Sequence, residues 1–301
     1  MLIRLITLLF ASALSLFGGL IDELPETEKK ALDLADKVIC YKETESVKLY
    51  MHIFLPKDIQ KGEKRPAMLF IHGGGWRGGN PAVHAFESLY FSKRGIVTFT
   101  ISYRLLGKGA KSPADCLEDA RDALKFLRKN AEKFNIDPNR ILTSGGSAGG
   151  HLASALSTLN DSSWNEKDYP SAMILLYPAF DLENGWKGGR DSCLKAGIDP
   201  IKFSPAHHIN NKTPPTLILS GSKDTVVNPD CVRKFTSRLN SLKSKCRYIE
   251  YDGKGHKLFE RNKNDAHFRA TIHYMESFLK ELGWLKKVLS PNTDIKHKIF
   301  E

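Results

Sequence analysis

TSGGSAGGHLA (143–153) sets four glycines and two alanines around two serines. Neither a core strand nor a surface helix has this composition. Ser147 has Gly145 two residues before it and Gly149 two after, whereas Ser144 has Leu142 before it. Only Ser147 therefore satisfies G-x-S-x-G. The flanks supply the context that motif requires: RILTSG (140–145) reads as a strand and AGGHLASALSTL (148–159) as a mostly apolar helix. There a hydroxyl projects from a sharp strand-to-helix turn. Small neighbours let strand and helix close up, and the helix aims its first amides at the reaction centre. Taken alone, the stretch also fits a tight turn or a phosphate-binding loop.

Working outward, RPAMLFIHGG (65–74), GIVTFTISYRL (95–105), SAMILLYPAF (171–180) and PTLILSG (215–221) are short apolar runs bounded by Gly and Pro, as buried strands are. VKLYMHIFLP (47–56) partly alternates and reads as an outer strand. Ser112-Pro113 is a helix start. After it Leu117, Ala120, Leu124, Leu127, Ala131 and Phe134 trace one apolar face of a helix reaching Asn135. A helix follows Pro229, CRYIEYDG (246–253) is a strand, and 265–282 is a last helix. Strands alternating with helices imply a mostly parallel twisted sheet with helices on both faces. The segment 181–214, rich in Gly, Pro and Asn, is an insert between strands.

A second motif, HGGGW (72–76), follows directly on the strand at 65–71. Glycines there can present backbone N–H groups to the oxyanion of a tetrahedral intermediate. A nucleophilic Ser needs a base, and the base an orienting carboxylate. After PTLILSG comes SKDTVV, which puts Asp224 in a strand-end loop. After CRYIEYDG comes GKGHKL, which puts His256 in another. Both would emerge at the C-terminal edge of the sheet, where sites of open α/β sheets lie. Competing residues are assigned elsewhere. Asp230 falls at a helix start, Asp252 is a weaker acid candidate, His267 and His273 lie on the last helix, and His151 is buried behind the nucleophile. His207 and His208, in the insert, are weak candidates for touching substrate.

HGGGW, GGSAGGH, GSKDTVV and GKGH together resemble the α/β-hydrolase superfamily over roughly residues 45–282. Within it the chain is similar to bacterial carboxylesterases of the acetyl-esterase and feruloyl-esterase-like groups. The resemblance implies an α/β-hydrolase fold with Ser147, Asp224 and His256 as the triad. It implies an oxyanion hole from Gly74, Gly75 and the amide of Ala148. Two departures stand out. The hormone-sensitive-lipase-like branch has an acidic residue where Gly146 stands, and a sizeable N-terminal cap. With a small insert rather than a full cap, the site is expected to be open. The insert would then shape the pocket, with Trp76 and Trp186 as candidate substrate contacts.

The remaining composition bounds the setting. With 301 residues, 41% of them hydrophobic, the chain suffices for a well-buried core. The net charge of +11 is dispersed, which fits a solvated surface or an acidic polysaccharide better than nucleic acid. MLIRLITLLFASALSLFGGL (1–20) reads as a secretory signal peptide, with an uncleaved membrane anchor as the rival. Residues 21–285 are then expected to form one domain, and 286–301 a tail. Cys40, Cys116, Cys193, Cys231 and Cys246 match no zinc spacing, and a Cys231–Cys246 bridge is disfavoured by the helix between them. The expected activity is that of a secreted or periplasmic serine carboxylesterase acting on short acyl esters, acetylated polysaccharide among them, with no cofactor or metal and no stable membrane insertion after cleavage. Rival readings are a serine peptidase of the prolyl-oligopeptidase type, a formamidase, and a non-catalytic binding protein on the same scaffold.

Overall fold

The computed structural model describes residues 32–159, 164–256 and 266–285. The signal-peptide and tail expectations, on 1–20 and 286–301, lie outside them. The strands are β1 (Lys37–Glu43), β2 (Lys48–Phe54), β3 (Arg65–Ile71), β4 (Val97–Ile101), β5 (Leu105–Leu106), β6 (Gly109–Ala110), β7 (Ile136–Gly146), β8 (Ala172–Leu176), β9 (Thr216–Gly221) and β10 (Cys246–Tyr251). The helices are α1 (Ala85–Ser92), α2 (Pro113–Lys129), α3 (Ala148–Thr158), α4 (Lys187–Lys195), α5 (Pro229–Ser241) and α6 (Ala266–Glu281). Eight strands form one sheet in the order β1-β2-β4-β3-β7-β8-β9-β10, and β5 pairs with β6. From β4 to β10 every neighbouring pair is parallel; β1, β2 and β4 pair antiparallel.

Alternate side chains of each central strand feed two cores. Ala67, Leu69 and Ile71 of β3 pack with Leu117 and Leu124 of α2, Leu152 of α3 and Phe235 of α5. Met68 and Phe70 of the same strand pack with Phe91 of α1 and with Ile272, Met275 and Leu279 of α6. Both faces are covered, so the strands lack polar alternation and read as apolar runs.

Some elements differ from the sequence reading. The expected outer strand, β2, is second from the edge; β1 lies outside it, and its KVICYKE carries charges because one side meets solvent. α2 stops at Lys129, with Asn130 as its C-cap, so Ala131 and Phe134 reach the core from the turns beyond. The start of α2 is as expected: the Asp115 carboxylate accepts the Ser112 amide at 2.9 Å.

Candidate active site

β7 delivers Ser147 into α3 through a turn in which Ser147 takes φ 56° and ψ −121°. This left-handed backbone is strained for a residue with a Cβ. Its amide donates to Leu176 O at 3.0 Å, and its carbonyl accepts from the His151 amide at 2.9 Å, so both neighbours hold the turn. The surrounding glycines are explained by close approach. A Cβ on Gly149 would sit 2.1 Å from Ile71 O, and one on Gly145 would sit 2.5 Å from the same oxygen. No side chain fits between α3 and the end of β3.

β9 and β10 run parallel in register up to Tyr251 opposite Gly221, so their exit loops lie side by side. The Lys223 amide donates to Lys254 O at 2.8 Å, and the Gly253 amide donates to Ser222 Oγ at 2.8 Å. These bonds bring Asp224 and His256 together. His256 Nδ1 lies 2.7 Å from Asp224 Oδ2, and His256 Nε2 lies 2.8 Å from Ser147 Oγ. A proton on Nδ1 donates to the carboxylate, leaving Nε2 to accept from the serine hydroxyl. The other oxygen, Asp224 Oδ1, accepts from the Val226 and Val227 amides at 2.8 and 2.9 Å. The Asp224 side chain is 2% exposed and that of His256 16%, so the acid is enclosed while the base borders solvent.

The HGGGW loop packs against the serine turn. A Cβ on Gly73 would sit 3.3 Å from Ser147 Cβ. Gly74 and Gly75 follow with φ 113° and 65°. Among the described residues the amides of Gly74 and Gly75 enter no loop hydrogen bond. Ala148 opens α3, so its amide has no intrahelical acceptor.

The loop is clamped from behind. Burial pushes the His72 imidazole down to about 4, so it is neutral at working pH. Its Nδ1 donates to Gly73 O at 2.7 Å. Tyr103 stacks on the His72 ring at 4.3 Å and donates its hydroxyl to His72 O at 3.0 Å. The next residue, Arg104, is fixed by the fully buried Asp119 of α2, which accepts its amide at 2.8 Å and also meets Lys42 Nζ at 2.8 Å. Downstream, the Leu106 amide donates to Trp76 O at 2.7 Å.

The competing side chains are engaged away from the Ser147 hydroxyl. His151 is buried, with Nε2 donating to Phe203 O at 2.9 Å. Asp252 accepts from Ser222 Oγ at 3.1 Å and braces the loop, while Asp230 pairs with Arg233 in the first turn of α5. His207 lies 4.0 Å from Asp181, and His208 Nε2 donates to Lys202 O at 2.9 Å. His267 and His273 sit on α6 beside Tyr251 and Tyr274. The expectation for Trp76 needs correction. It is 0% exposed and packs on His151, Trp186 and Phe203, so it offers substrate no surface. Trp186, at 8%, comes down on Gly75 and Trp76 as a packing residue rather than an open platform.

All five cysteines are free thiols; burial pushes Cys116, Cys193 and Cys246 up to about 12 and Cys231 to about 11, which keeps these four protonated near neutral pH. Among the described residues no group of His, Cys, Asp and Glu is assembled for a metal ion, and no helix is long and apolar enough to cross a membrane.

Two residues that motif reading missed complete the site. Tyr103 clamps His72. Tyr177, with φ 38°, packs its ring against His256 at 5.0 Å. Each lies one or two residues past the end of a strand, and their sequence signals, the Tyr-Arg and Tyr-Pro steps, are faint.

The model of the BD-FAE family matches residues 51–175. Esterase LipC of Mycobacterium tuberculosis is 29% identical over 64% of this chain and 52% of its own length. An acetylxylan esterase of Xylanibacter ruminicola is 26% identical over 82% of this chain and 50% of its own. The chain thus spans about half the length of these curated relatives. The structure of Thermogutta terrifontis esterase 2 with butyrate bound superposes with a TM-score of 0.77 at 30% identity, covering 85% of this chain and 97% of that one. The same esterase phosphoramylated by tabun matches with a TM-score of 0.77.

Proposed function

Because the chain belongs to the α/β-hydrolase carboxylesterases, we propose that it is a secreted serine esterase that removes short acyl groups, acetyl on polysaccharide among them, through Ser147, His256 and Asp224. The observation that carries the reading is the continuous relay from Asp224 Oδ2 to His256 at 2.7 Å and from His256 to Ser147 Oγ at 2.8 Å.

In this mechanism Ser147 Oγ attacks the ester carbonyl as His256 Nε2 takes its proton. Asp224 holds the Nδ1–H tautomer and stabilises the imidazolium. The amides of Gly74, Gly75 and Ala148 receive the oxyanion, at the positive end of α3. His256 then protonates the leaving alcohol. A water deprotonated by the same nitrogen clears the acyl-enzyme and restores Ser147.

Short acyl groups are favoured because Trp186, seated on the buried Trp76, fills the space beside Gly75. The butyrate complex of the Thermogutta esterase is consistent with that. Carbohydrate as the alcohol side rests on the acetylxylan esterase relative, and on a xylanase B of Butyrivibrio fibrisolvens that is 30% identical over 60% of this chain. Export rests on residues 1–20. The test is activity on acetylated xylan and on aryl esters of rising chain length. Acetate release and a rate falling beyond butyrate are expected; activity confined to triglycerides of long fatty acids contradicts the reading.

A further inference from the structure

Arg77 stands two residues beyond Gly75, in a turn closed by the Arg77 and Gly78 amides on Gly74 O at 3.1 and 3.0 Å. Its side chain is exposed. One guanidinium nitrogen, Nη2, donates to Ser192 Oγ of α4 at 3.2 Å, and that hydroxyl donates to Gly188 O at 2.8 Å. Among the described residues no carboxylate pairs with Arg77. Arg190 of the same α4 differs: Glu183 meets it at 3.1 Å. Lys187, directly after Trp186, is also exposed and unpaired among the described residues. The lip of the insert nearest the oxyanion loop therefore carries two exposed cations, Arg77 and Lys187, and the exposed Asp191 beside Ser192 forms no ion pair with either among the described residues.

A single exposed cation is ordinarily just solvated. Two features set Arg77 apart. Ser192, 5% exposed, fixes one edge of the fork and leaves the rest of the guanidinium to bind a planar anion in two-pronged fashion. Arg77 is also four residues from Gly73, which abuts Ser147. The Arg77 N to Gly74 O bond makes 74–77 a turn whose end Cα atoms lie within about 7 Å, so Arg77 stands within about 11 Å of Gly73. That is a span which the arginine side chain and one sugar ring together can bridge.

We propose that Arg77 forms an anion subsite beside the catalytic serine, so that preferred substrates carry a carboxylate a few bonds from the scissile ester. The inference rests on the serine-esterase reading above. The carboxylate belongs either to the acyl group, as in a hemiester of a dicarboxylic acid, or to the alcohol, as in an acylated uronic acid.

Two pairs of esters test it. The first compares 4-nitrophenyl butyrate with mono-4-nitrophenyl glutarate; the second compares acetylated methyl glucoside with acetylated methyl glucuronoside. The readout is the ratio of kcat/KM, anionic over neutral, within each pair. Wild type should show a ratio of about tenfold or more in at least one pair, which names the side bearing the charge. The ratio should fall with added salt. Arg77→Gln should bring it near one, and Arg77→Lys should leave it between, because an ammonium lacks the fork. A wild-type ratio at or below one in both pairs, or a ratio unchanged in Arg77→Gln, overturns the subsite. Hydrolysis of neutral esters without anion preference overturns the subsite alone. Failure to hydrolyse any ester overturns the esterase reading and the subsite with it.

Discussion

The serine turn stores strain in one residue and spends no volume on its neighbours. Ser147 holds φ 56°, a conformation worth about 1–3 kcal/mol against it, because Leu176 O and the His151 amide fix both sides. Gly149→Ala would place a methyl 2.1 Å from Ile71 O and 2.5 Å from His72 O. Since backbone cannot yield as a flexible side chain does, a loss of about 3 kcal/mol in urea unfolding is expected, together with activity. A variant with wild-type stability contradicts the packing argument. Tyr103→Phe keeps the stack on His72 and removes the 3.0 Å bond to its carbonyl. If Tyr103 positions the oxyanion loop, kcat should fall about tenfold with KM little changed, because the loss is felt in the transition state. A rise in KM alone would assign Tyr103 to ground-state binding instead. Ser147, Asp224 and His256 were legible in the sequence because each follows a strand in a short motif. Tyr103 and Tyr177 were not, because they act through partners 31 and 79 residues away, His72 and His256, and nothing local records such pairings.

Secondary elements divide by how completely they are covered. β3, β8 and β9 are enclosed on both faces and announce themselves as apolar runs, whereas β7 starts four residues before the stretch read as a strand because Asp137, Asn139 and Arg140 are polar and at most partly covered. β1 has an open edge and a charged composition, so it does not. α1 escapes notice for the opposite reason: all eight of its residues are buried, which removes the polar stripe that marks a helix. α2 misleads at its end, since Phe134 keeps the spacing after the chain has left the helix. One ionic knot ties these elements: Asp119 of α2 joins Lys42 of β1 and Arg104 of the segment that carries Tyr103. Asp119→Asn removes the fully buried carboxylate of the knot, while Lys42 keeps Asp122 at 2.6 Å and Glu118 at 3.3 Å, and Arg104 keeps Glu118. A loss of about 1.5–3 kcal/mol in denaturant unfolding is expected, and an effect below about 1 kcal/mol would show that the remaining carboxylates suffice. Trp186→Ala removes the ring that seats the insert on Gly75 and Trp76. The expected outcome is a fall in kcat on short esters and a relative gain on longer acyl chains, read from a chain-length series. An unchanged profile would remove the insert from acyl selection.

For the molecule as a whole, protonation sets the acid limit. Burial pushes His52, His72 and His151 from the ordinary 6.5 down to about 4. Between these values the unfolded chain holds protons that the folded chain refuses. Their contribution is complete above about pH 6.5 and is lost as pH falls toward 4, up to about 3 kcal/mol for each. Urea midpoints at pH 7, 5.5 and 4.5 should fall in that order; a flat series contradicts burial of neutral imidazoles. The eight-stranded sheet gathers, at one edge, loops that lie more than a hundred residues apart in the chain, as Ser147 and His256 do. Whether that gathering makes an esterase is tested most directly by steady-state hydrolysis of 4-nitrophenyl acetate and butyrate by wild type and Ser147→Ala, with circular dichroism confirming equal folding. The account predicts turnover by wild type and a loss of about a thousandfold or more in the variant. Equal rates in the two proteins, or no hydrolysis by wild type, would contradict it.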